Sequence, residues 1–304
     1  MVAIAFSKII QLFLIVLAGF ALKKARLITS DDGRKLVLLN TYTFLPALIF
    51  KVIYHSRFML EYVFIPIIGL LLMLVMTVIA FIIGWFIGLR EKKYLMPFVV
   101  ASSAGNTGYV GYPVCQALFG EKGLALAVAY DIFATVFYAL IVAALLISYG
   151  AGKTEKISKL VASIFTFPPT IAAIAALILK PFPLPQLILQ ALDFASQAAI
   201  PLTLVALGIS LEGIVNFNYL KQLLVSVTLK LGISPTIAAL IVPWFLKGMA
   251  AKITIIQTGM PALMLTYILS VRYDTEPEYA SFLVFFSTFL SIFTLPVLIH
   301  FINS

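Results

Sequence analysis

Long apolar runs separated by short polar connections dominate this chain from its first residues to its last. Ten of these runs contain about twenty residues or more, and about 20 residues is the length that a helix needs to cross a hydrocarbon core some 30 Å thick. The pattern therefore predicts ten membrane-spanning helices and no sizeable soluble domain. The predicted spans cover residues 3–22, 36–54, 62–89, 95–118, 123–148, 160–180, 186–211, 222–246, 252–271 and 279–302.

Two of the runs are interrupted near their middle by glycine, proline and polar residues. The fourth contains "AGNTGYVGYP" (104–113) and the ninth contains "QTGMPA" (257–262). In hydrocarbon an unwound backbone is tolerated only where protein or a watery cavity supplies hydrogen-bond partners. We therefore expect both helices to be broken and the two breaks to face each other near the middle of the membrane. The alternative is that the glycines only allow close helix packing and that the proline only kinks a helix.

The most polar connection, residues 149–159, divides the chain into halves of five predicted spans each. Because five is odd, a second half related to the first must lie upside down in the membrane, as in many secondary transporters. An offset of 155 residues superposes Pro46 on Pro201 and Asn106 on Pro261. A chance alignment of prolines remains the alternative. The predicted organisation is an N-terminal repeat over residues 1–150, a cytoplasmic linker over 151–159 and an inverted C-terminal repeat over 160–304.

Composition and charge support an all-α integral membrane protein. Hydrophobic residues make up 62% of the chain and charged residues 11%, which excludes a water-soluble globule. The formal net charge of +9 is unevenly placed: connections after odd-numbered spans hold thirteen lysines and arginines, and those after even-numbered spans hold six. The positive-inside rule then predicts a multi-pass protein of the cell membrane with both termini extracellular and the central loop cytoplasmic. The basic charge is an orientation signal, so no nucleic-acid partner is expected.

Motifs for enzymatic or nucleotide chemistry are not found in the sequence. Cys115 is the only cysteine, which excludes an internal disulfide, and no cluster of cysteine and histidine has metal-site spacing. The segment "GAGKT" (150–154) lacks the first glycine of a phosphate-binding loop, because that position holds Ile147. We expect neither an enzyme nor an organic cofactor, although a coupling ion, H⁺ or Na⁺, is compatible with the sequence.

Two charged residues lie well inside predicted spans, away from their ends, and there each costs at least about 2.5 kcal/mol. Asp131 lies in the fifth span with Thr135 one turn further on the same face, and we consider these residues the candidates for ion coupling. The alternatives for Asp131 are a structural hydrogen bond or a place in a water-filled vestibule. Lys230 in the eighth span is deep enough to pair with an acid or an anion, but snorkelling of its long stem to the interface is the simpler interpretation.

Polar residues beside the prolines of the second and seventh spans are candidates for lining a cavity, and their alternative role is ordinary hydrogen bonding between helices. Tyr109 and Tyr112 are expected near the first interruption, where their rings would bound a pocket. The cavity candidates are Asn40, Thr43, Gln197 and Thr203.

Four segments carry a resemblance to a known family. "NTGYVGYPVCQALFG" (106–120), "LPALIF" (45–50), "AAIPLTLVALGISL" (198–211) and "GMPALMLTYILSVRYDTEPEYAS" (259–281) resemble the auxin efflux carrier family, which includes plant auxin exporters and prokaryotic organic-anion permeases. The resemblance implies ten spans in two inverted five-span repeats, with a scaffold part and a transport part, similar to sodium/proton antiporters and bile acid transporters. It implies that the fourth and ninth helices are broken and cross.

The same resemblance implies that Asn106 contacts a substrate carboxylate and that Pro261 is the matching proline of the crossing. Plant members have proline before that asparagine, where this chain has Gly105, and they have a long hydrophilic central loop that is missing here. The chain is therefore similar to a prokaryotic-type member. Its expected substrate-binding residues are Gly105, Asn106, Thr107, Gly108, Gln257, Thr258, Gly259, Pro261 and Asn40.

The expected function is a secondary transporter, an efflux carrier for a small organic anion such as an auxin-like carboxylate or a malate-type dicarboxylate, working by alternating access at the helix crossing. The expected partners are a small carboxylate and the lipid bilayer, and a homodimer is left open. One alternative is a sodium-coupled bile-acid-type symporter, which should carry an acidic residue where this chain has Gln257 and Thr258. The others are an anion channel or a receptor on the same scaffold.

Overall fold

A computed structural model describes residues 2–56, 61–131, 138, 162, 165–210 and 216–303. These residues are helical apart from connections and one isolated β-bridge. Two short π-helical segments, the first π-turn (Thr107–Gly111) and the second π-turn (Thr228–Ile233), interrupt the α-helices. The described α-helices are α1 (Val2–Lys24), α2 (Ser30–Tyr42), α3 (Phe44–His55), α4 (Glu61–Phe86), α5 (Lys92–Ser103), α6 (Tyr112–Tyr130), α7 (Pro168–Leu179), α8 (Gln186–Ser210), α9 (Leu220–Val227), α10 (Ser234–Ile241), α11 (Gly248–Thr258), α12 (Leu265–Arg272) and α13 (Pro277–Asn303).

Six helical stretches in the described part of the chain are long and apolar enough to cross a membrane, and α7 is a shorter apolar helix. The predicted fourth and ninth spans are each divided into two helices, α5 with α6 and α11 with α12. Most of the predicted fifth span lies outside the described residues, so the count of ten stays a prediction. The six stretches are Phe6–Lys24, Ser30–His55, Val63–Phe86, Gln186–Ser210, Phe217–Trp244 and Pro277–Asn303.

The second of these stretches differs from its predicted bounds. It begins at Ser30 rather than at residue 36 because Thr29 caps the helix: its side chain accepts from the Asp32 amide, and the Asp32 carboxylate accepts from the Thr29 amide at 3.0 Å. It is also divided at Thr43, whose φ of −128° and ψ of −73° are not helical. The seventh predicted span, by contrast, continues as α8 through Pro201 without a break.

The helices pack into two bundles, each drawing on both halves of the chain. The first bundle contains α1, α2, α3, α7 and α8, and the second contains α4 to α6 and α9 to α13. The contact between α1 and α8 is especially close, since a Cβ on Gly208 would overlap the Val16 carbonyl and a Cβ on Gly19 would overlap the Val205 carbonyl. Small residues allow such close approach of helix backbones in membranes.

The bundles meet mainly along α6 and the first π-turn. Helix α6 contacts α1 and α3, the first π-turn contacts α8, and α13 contacts α1. Lys51 of α3 forms ion pairs with Asp193 of its own bundle and, at 3.1 Å, with Glu121 of α6. Lys8 of α1 donates a hydrogen bond to the Ala117 carbonyl, also on α6. Polar contacts therefore join α6 to the first bundle at two places.

Candidate functional site

The first break, residues 104–106, lies between α5 and the first π-turn. Helix α5 ends at Ser103, after which Ala104 is extended and Asn106 has φ −78° and ψ 67°. The Asn106 side chain caps the first π-turn, because its Oδ1 accepts from the Tyr109 amide at 3.2 Å. Pro113 then lies in the first turn of α6, where a proline costs no helical hydrogen bond.

The second break, residues 259–264, lies between α11 and α12. Helix α11 ends at Thr258, and Gly259 leaves the helix with φ −87° and ψ 3°. A Cβ on Gly259 would overlap the Leu298 side chain of α13, so only glycine fits this position without a shift. Pro261, two residues later, has no amide hydrogen with which to continue a helix.

The two breaks are hydrogen-bonded to each other as a short antiparallel β-bridge between Gly105 and Ala262. The Asn106 amide donates to the Pro261 carbonyl at 2.7 Å, and the Leu263 amide donates to the Ala104 carbonyl at 3.0 Å. Each break therefore supplies backbone partners that the other lacks, which is the condition for unwound backbone at membrane depth. The expected crossing of broken helices is present.

Gln257 of α11 reaches across the crossing to the other half of the chain. Its Nε2 lies 3.4 Å from both the Thr107 and the Ala127 carbonyls. Gly111 makes room for this side chain, because a Cβ there would overlap Gln257 Oε1. The predicted residues Gly105 to Gly108 and Gln257 to Pro261 are thus brought together in one place.

Two polar atoms at the crossing are buried without a hydrogen-bond partner among the residues that the structure covers, namely Asn106 Nδ2 and Gln257 Oε1. Asn106 is 1% exposed and Gln257 is 0% exposed. A buried polar atom without a partner costs free energy. The crossing therefore presents one donor and one acceptor that a bound molecule would satisfy.

Asp131 follows the last residue of α6, but its side chain lies beside the start of that helix because the chain changes direction at Gly120, where φ is 66° and ψ is −157°. Its carboxylate accepts hydrogen bonds from the Thr107 hydroxyl and, at 2.8 Å, from the Tyr112 hydroxyl. Its Oδ2 also packs against the backbone of Gly108, where a Cβ would lie 3.3 Å away. A carboxylate near the start of a helix is favoured by the helix dipole. Thr135, its predicted partner in ion coupling, lies outside the described residues.

Lys230 also lies at the crossing, which corrects the expectation that it snorkels to the interface. It is 1% exposed, and its Nζ donates to the Thr258 carbonyl at 2.5 Å. The second π-turn, which contains Lys230, adds a residue to the helical turn, and such bulges are frequent at functional sites. The apolar run alone does not indicate the direction of this side chain.

The cavity candidates of the second and seventh predicted spans differ in their contacts and in their exposure. Asn40 Nδ2 donates to Thr203 Oγ1 at 2.6 Å and to the Ala199 carbonyl at 3.2 Å, so these side chains join α2 to α8 inside the first bundle. Thr43 and Gln197 are exposed. The hydrogen-bonding role is therefore the one observed for Asn40 and Thr203, whereas Tyr109 lies within the first π-turn.

Comparisons with known proteins find membrane transporters. A family model described as "Membrane transport protein" matches residues 4–299. The chain is 28% identical over 297 residues to an uncharacterized transporter of Methanocaldococcus jannaschii, covering 93% of this chain and 94% of the relative. It is 30% identical over 298 residues to an uncharacterized transporter of Methanothermobacter thermautotrophicus, covering 95% of each chain.

Proposed function

The chain belongs to the membrane transport protein family, the auxin efflux carriers, and from this premise we propose that it is a secondary transporter for a small organic anion. The proposed substrate carries a carboxylate and is auxin-like or a malate-type dicarboxylate. The observation that carries the proposal is the crossing of two broken helices, where Asn106 Nδ2 is buried and without a partner among the described residues. An amide donor of this kind is suited to a carboxylate oxygen.

The proposed site uses the helix ends that the two breaks create. The N-termini of α6 and α12 begin just after the crossing and carry partial positive charge, which favours an anion. Asn106 would donate to the substrate carboxylate, with Thr107 and Gly108 beside it and the Gln257 amide opposite. In transporters with broken helices, substrate groups bind at such ends near the middle of the bilayer.

Alternating access would come from movement of one bundle relative to the other. In the described arrangement the crossing is buried, so a substrate reaches Asn106 only after the bundles separate on one side. The polar contacts of Lys51 and Lys8 with α6 are single interactions that such a movement can exchange. A small apolar cavity lined by residues such as Leu12, Val110 and Leu204 lies along the same boundary.

We also propose ten spans in two inverted repeats, with both termini outside the cell and the central loop in the cytoplasm. The order of described elements supports this proposal, since a broken pair followed by further apolar sequence occurs in each half: α5 with α6, then α11 with α12 and α13. Asp131 is the proposed group for coupling to H⁺ or Na⁺. Without coupling, export of an anion from a negative-inside cell is favoured by about 2.3 kcal/mol per charge per 100 mV.

An uptake screen in proteoliposomes tests the proposal. Labelled malate, short dicarboxylates, indole-3-acetate and bile acids would be offered at two pH values, with and without sodium. We expect saturable counterflow of at least one small carboxylate. Counterflow of none of them would contradict the proposal, unitary currents would indicate a channel, and sodium-dependent uptake of bile acids alone would favour the symporter alternative.

A further inference from the structure

The side chain of Lys230 is directed at the second break from a helix that is not itself broken there. Lys230 lies near the middle of the stretch Phe217–Trp244, which is long and apolar enough to cross a membrane. The second π-turn lies at this point between α9 and α10, and Lys230 is almost wholly buried. A charged side chain at such a depth is costly unless specific partners compensate it.

The ammonium group of Lys230 contacts both breaks. Its Nζ donates to the carbonyl of Thr258, the last residue of α11, and Ser234 donates to the same oxygen at 3.2 Å. On the other side it lies against Gly105, where a Cβ would come within 3.3 Å of Nζ. The lack of a side chain at Gly105 therefore leaves room for the ammonium at the crossing.

Within the part of the chain that the structure describes, no carboxylate forms an ion pair with Lys230; its partner is the carbonyl end of a half-helix. The C-terminal end of a helix carries partial negative charge and favours a cation. In transporters with broken helices, the carbonyls at such ends coordinate the coupling Na⁺ or H⁺. In this chain a covalently attached cation already contacts the Thr258 carbonyl.

We infer that Lys230 is a tethered cation that takes the place of a coupling sodium ion at the second break. This inference rests on the proposed function only where transport is concerned. Whether a cation occupies the carbonyl end of α11 can be measured without a substrate. The amine cannot diffuse away during the transport cycle, because it is part of the chain. It follows that the second break needs no sodium ion to remain folded.

The test compares thermal unfolding in sodium chloride and in N-methylglucamine chloride, without substrate. The purified full-length parent protein carries Asp131→Asn, which removes the other proposed ion site. We expect this parent to unfold at the same temperature in both salts. Adding Lys230→Ala should make it less stable in N-methylglucamine, and Na⁺ or ethylammonium at about 100 mM should then raise its Tm by roughly 3 °C or more, because a cation now binds the vacated carbonyl. Adding Lys230→Arg should leave the behaviour of the parent unchanged.

Ser234→Ala is the matched control, since it removes a neutral donor from the same carbonyl. It should lower Tm slightly and remain indifferent to the cation. A parent protein that sodium stabilises would overturn the inference, and so would a Lys230→Ala protein whose Tm is the same in all three salts. If Lys230→Ala does not fold, Lys230→Met takes its place, and sodium stabilisation of the parent remains decisive. None of these outcomes depends on the identity of the transported anion.

Discussion

The two breaks pair with each other through their backbones, yet they are stabilised by opposite charges. At the first, the carboxylate of Asp131 lies beside the start of α6 and accepts from two hydroxyls. At the second, the ammonium of Lys230 lies at the end of α11 and donates to its last carbonyl. Each charge matches the sign that its helix end favours. The two sides of one backbone bridge are therefore stabilised by different side-chain chemistry.

Asn106 and Pro261, which are hydrogen-bonded to each other across the bridge, differ in the same way at the level of single residues. Asn106 contributes its amide to the bridge and its side chain to the helix cap and the site. Pro261 contributes its carbonyl, the acceptor of the Asn106 amide. Side-chain substitutions should therefore be more damaging at the first break than at the second.

The largest effect is expected for Gly111→Ala. The new methyl group would overlap Gln257 Oε1, so the Gln257 side chain must leave the Thr107 and Ala127 carbonyls. Overpacking of this kind costs about 1–3 kcal/mol, and we expect transport to be lost. Gly232→Ala is the control, because a Cβ at Gly232 meets nothing within 4 Å. If both variants transport equally well in proteoliposomes, the pairing of the two breaks does not depend on the contact of Gln257 with the Thr107 and Ala127 carbonyls.

Asp131→Asn should abolish the dependence of transport on pH or sodium while leaving substrate binding measurable. The substitution removes the negative charge but keeps one oxygen that can accept from Tyr112 or Thr107. Initial uptake rates at two pH values, with and without sodium, measure the effect. If the variant keeps the ion dependence of the wild type, Asp131 is not the coupling group, and its negative charge has no role in coupling.

Asn106→Ala should weaken substrate binding by about tenfold or more, since a hydrogen bond to a charged group contributes about 1.5–3 kcal/mol. Loss of the helix cap should also lower stability by about 1 kcal/mol. The ligand-induced shift in Tm measures the affinity. Asn40→Ala is the control, as Asn40 is a similarly buried amide that bonds within the first bundle. It should lose stability and keep its affinity; equal loss of affinity in both variants would argue against a binding role specific to Asn106.

Pro261→Ala should have the smallest effect. The carbonyl that accepts from Asn106 remains, and the main cost is the greater freedom of the unfolded chain, about 0.4–1 kcal/mol. We expect the transport rate to stay within about twofold of the wild-type rate, because a change of a few tenths of a kcal/mol corresponds to a factor of about two. A loss as large as that of Asn106→Ala would show that the ring of Pro261 itself shapes the site.

The class of protein and the position of the breaks can be predicted from sequence because each depends on local chemistry. A cluster of polar and helix-weakening residues, such as Gly105 to Gly108 or Gln257 to Pro261, is costly in a lipid-facing helix, so its place in an apolar run indicates both a break and a partner. The start of α2 at Ser30 also has a local signal, since Thr29 and Asp32 have the spacing of a capping box. The apolar run by itself begins later than this cap, which is why it predicts too late a start for the span.

Other features depend on tertiary geometry that the sequence pattern does not contain. The direction of Lys230 is set by a π-turn, which rotates the side chains after it and leaves no mark in the apolar run. The roles of Asn40 and Thr203 depend on the packing of α2 against α8, which are far apart in the chain. Thr43 and Pro201 show the same limit: the helix breaks at the threonine and continues through the proline.

The bridge between Gly105 and Ala262 is made by peptide groups alone. Backbone pairing of this kind places few demands on which side chains surround it. During evolution, neighbouring residues could thus change to suit a new solute while the architecture that holds the two halves together persisted. Related carriers with the same crossing are then expected to differ widely in what they transport.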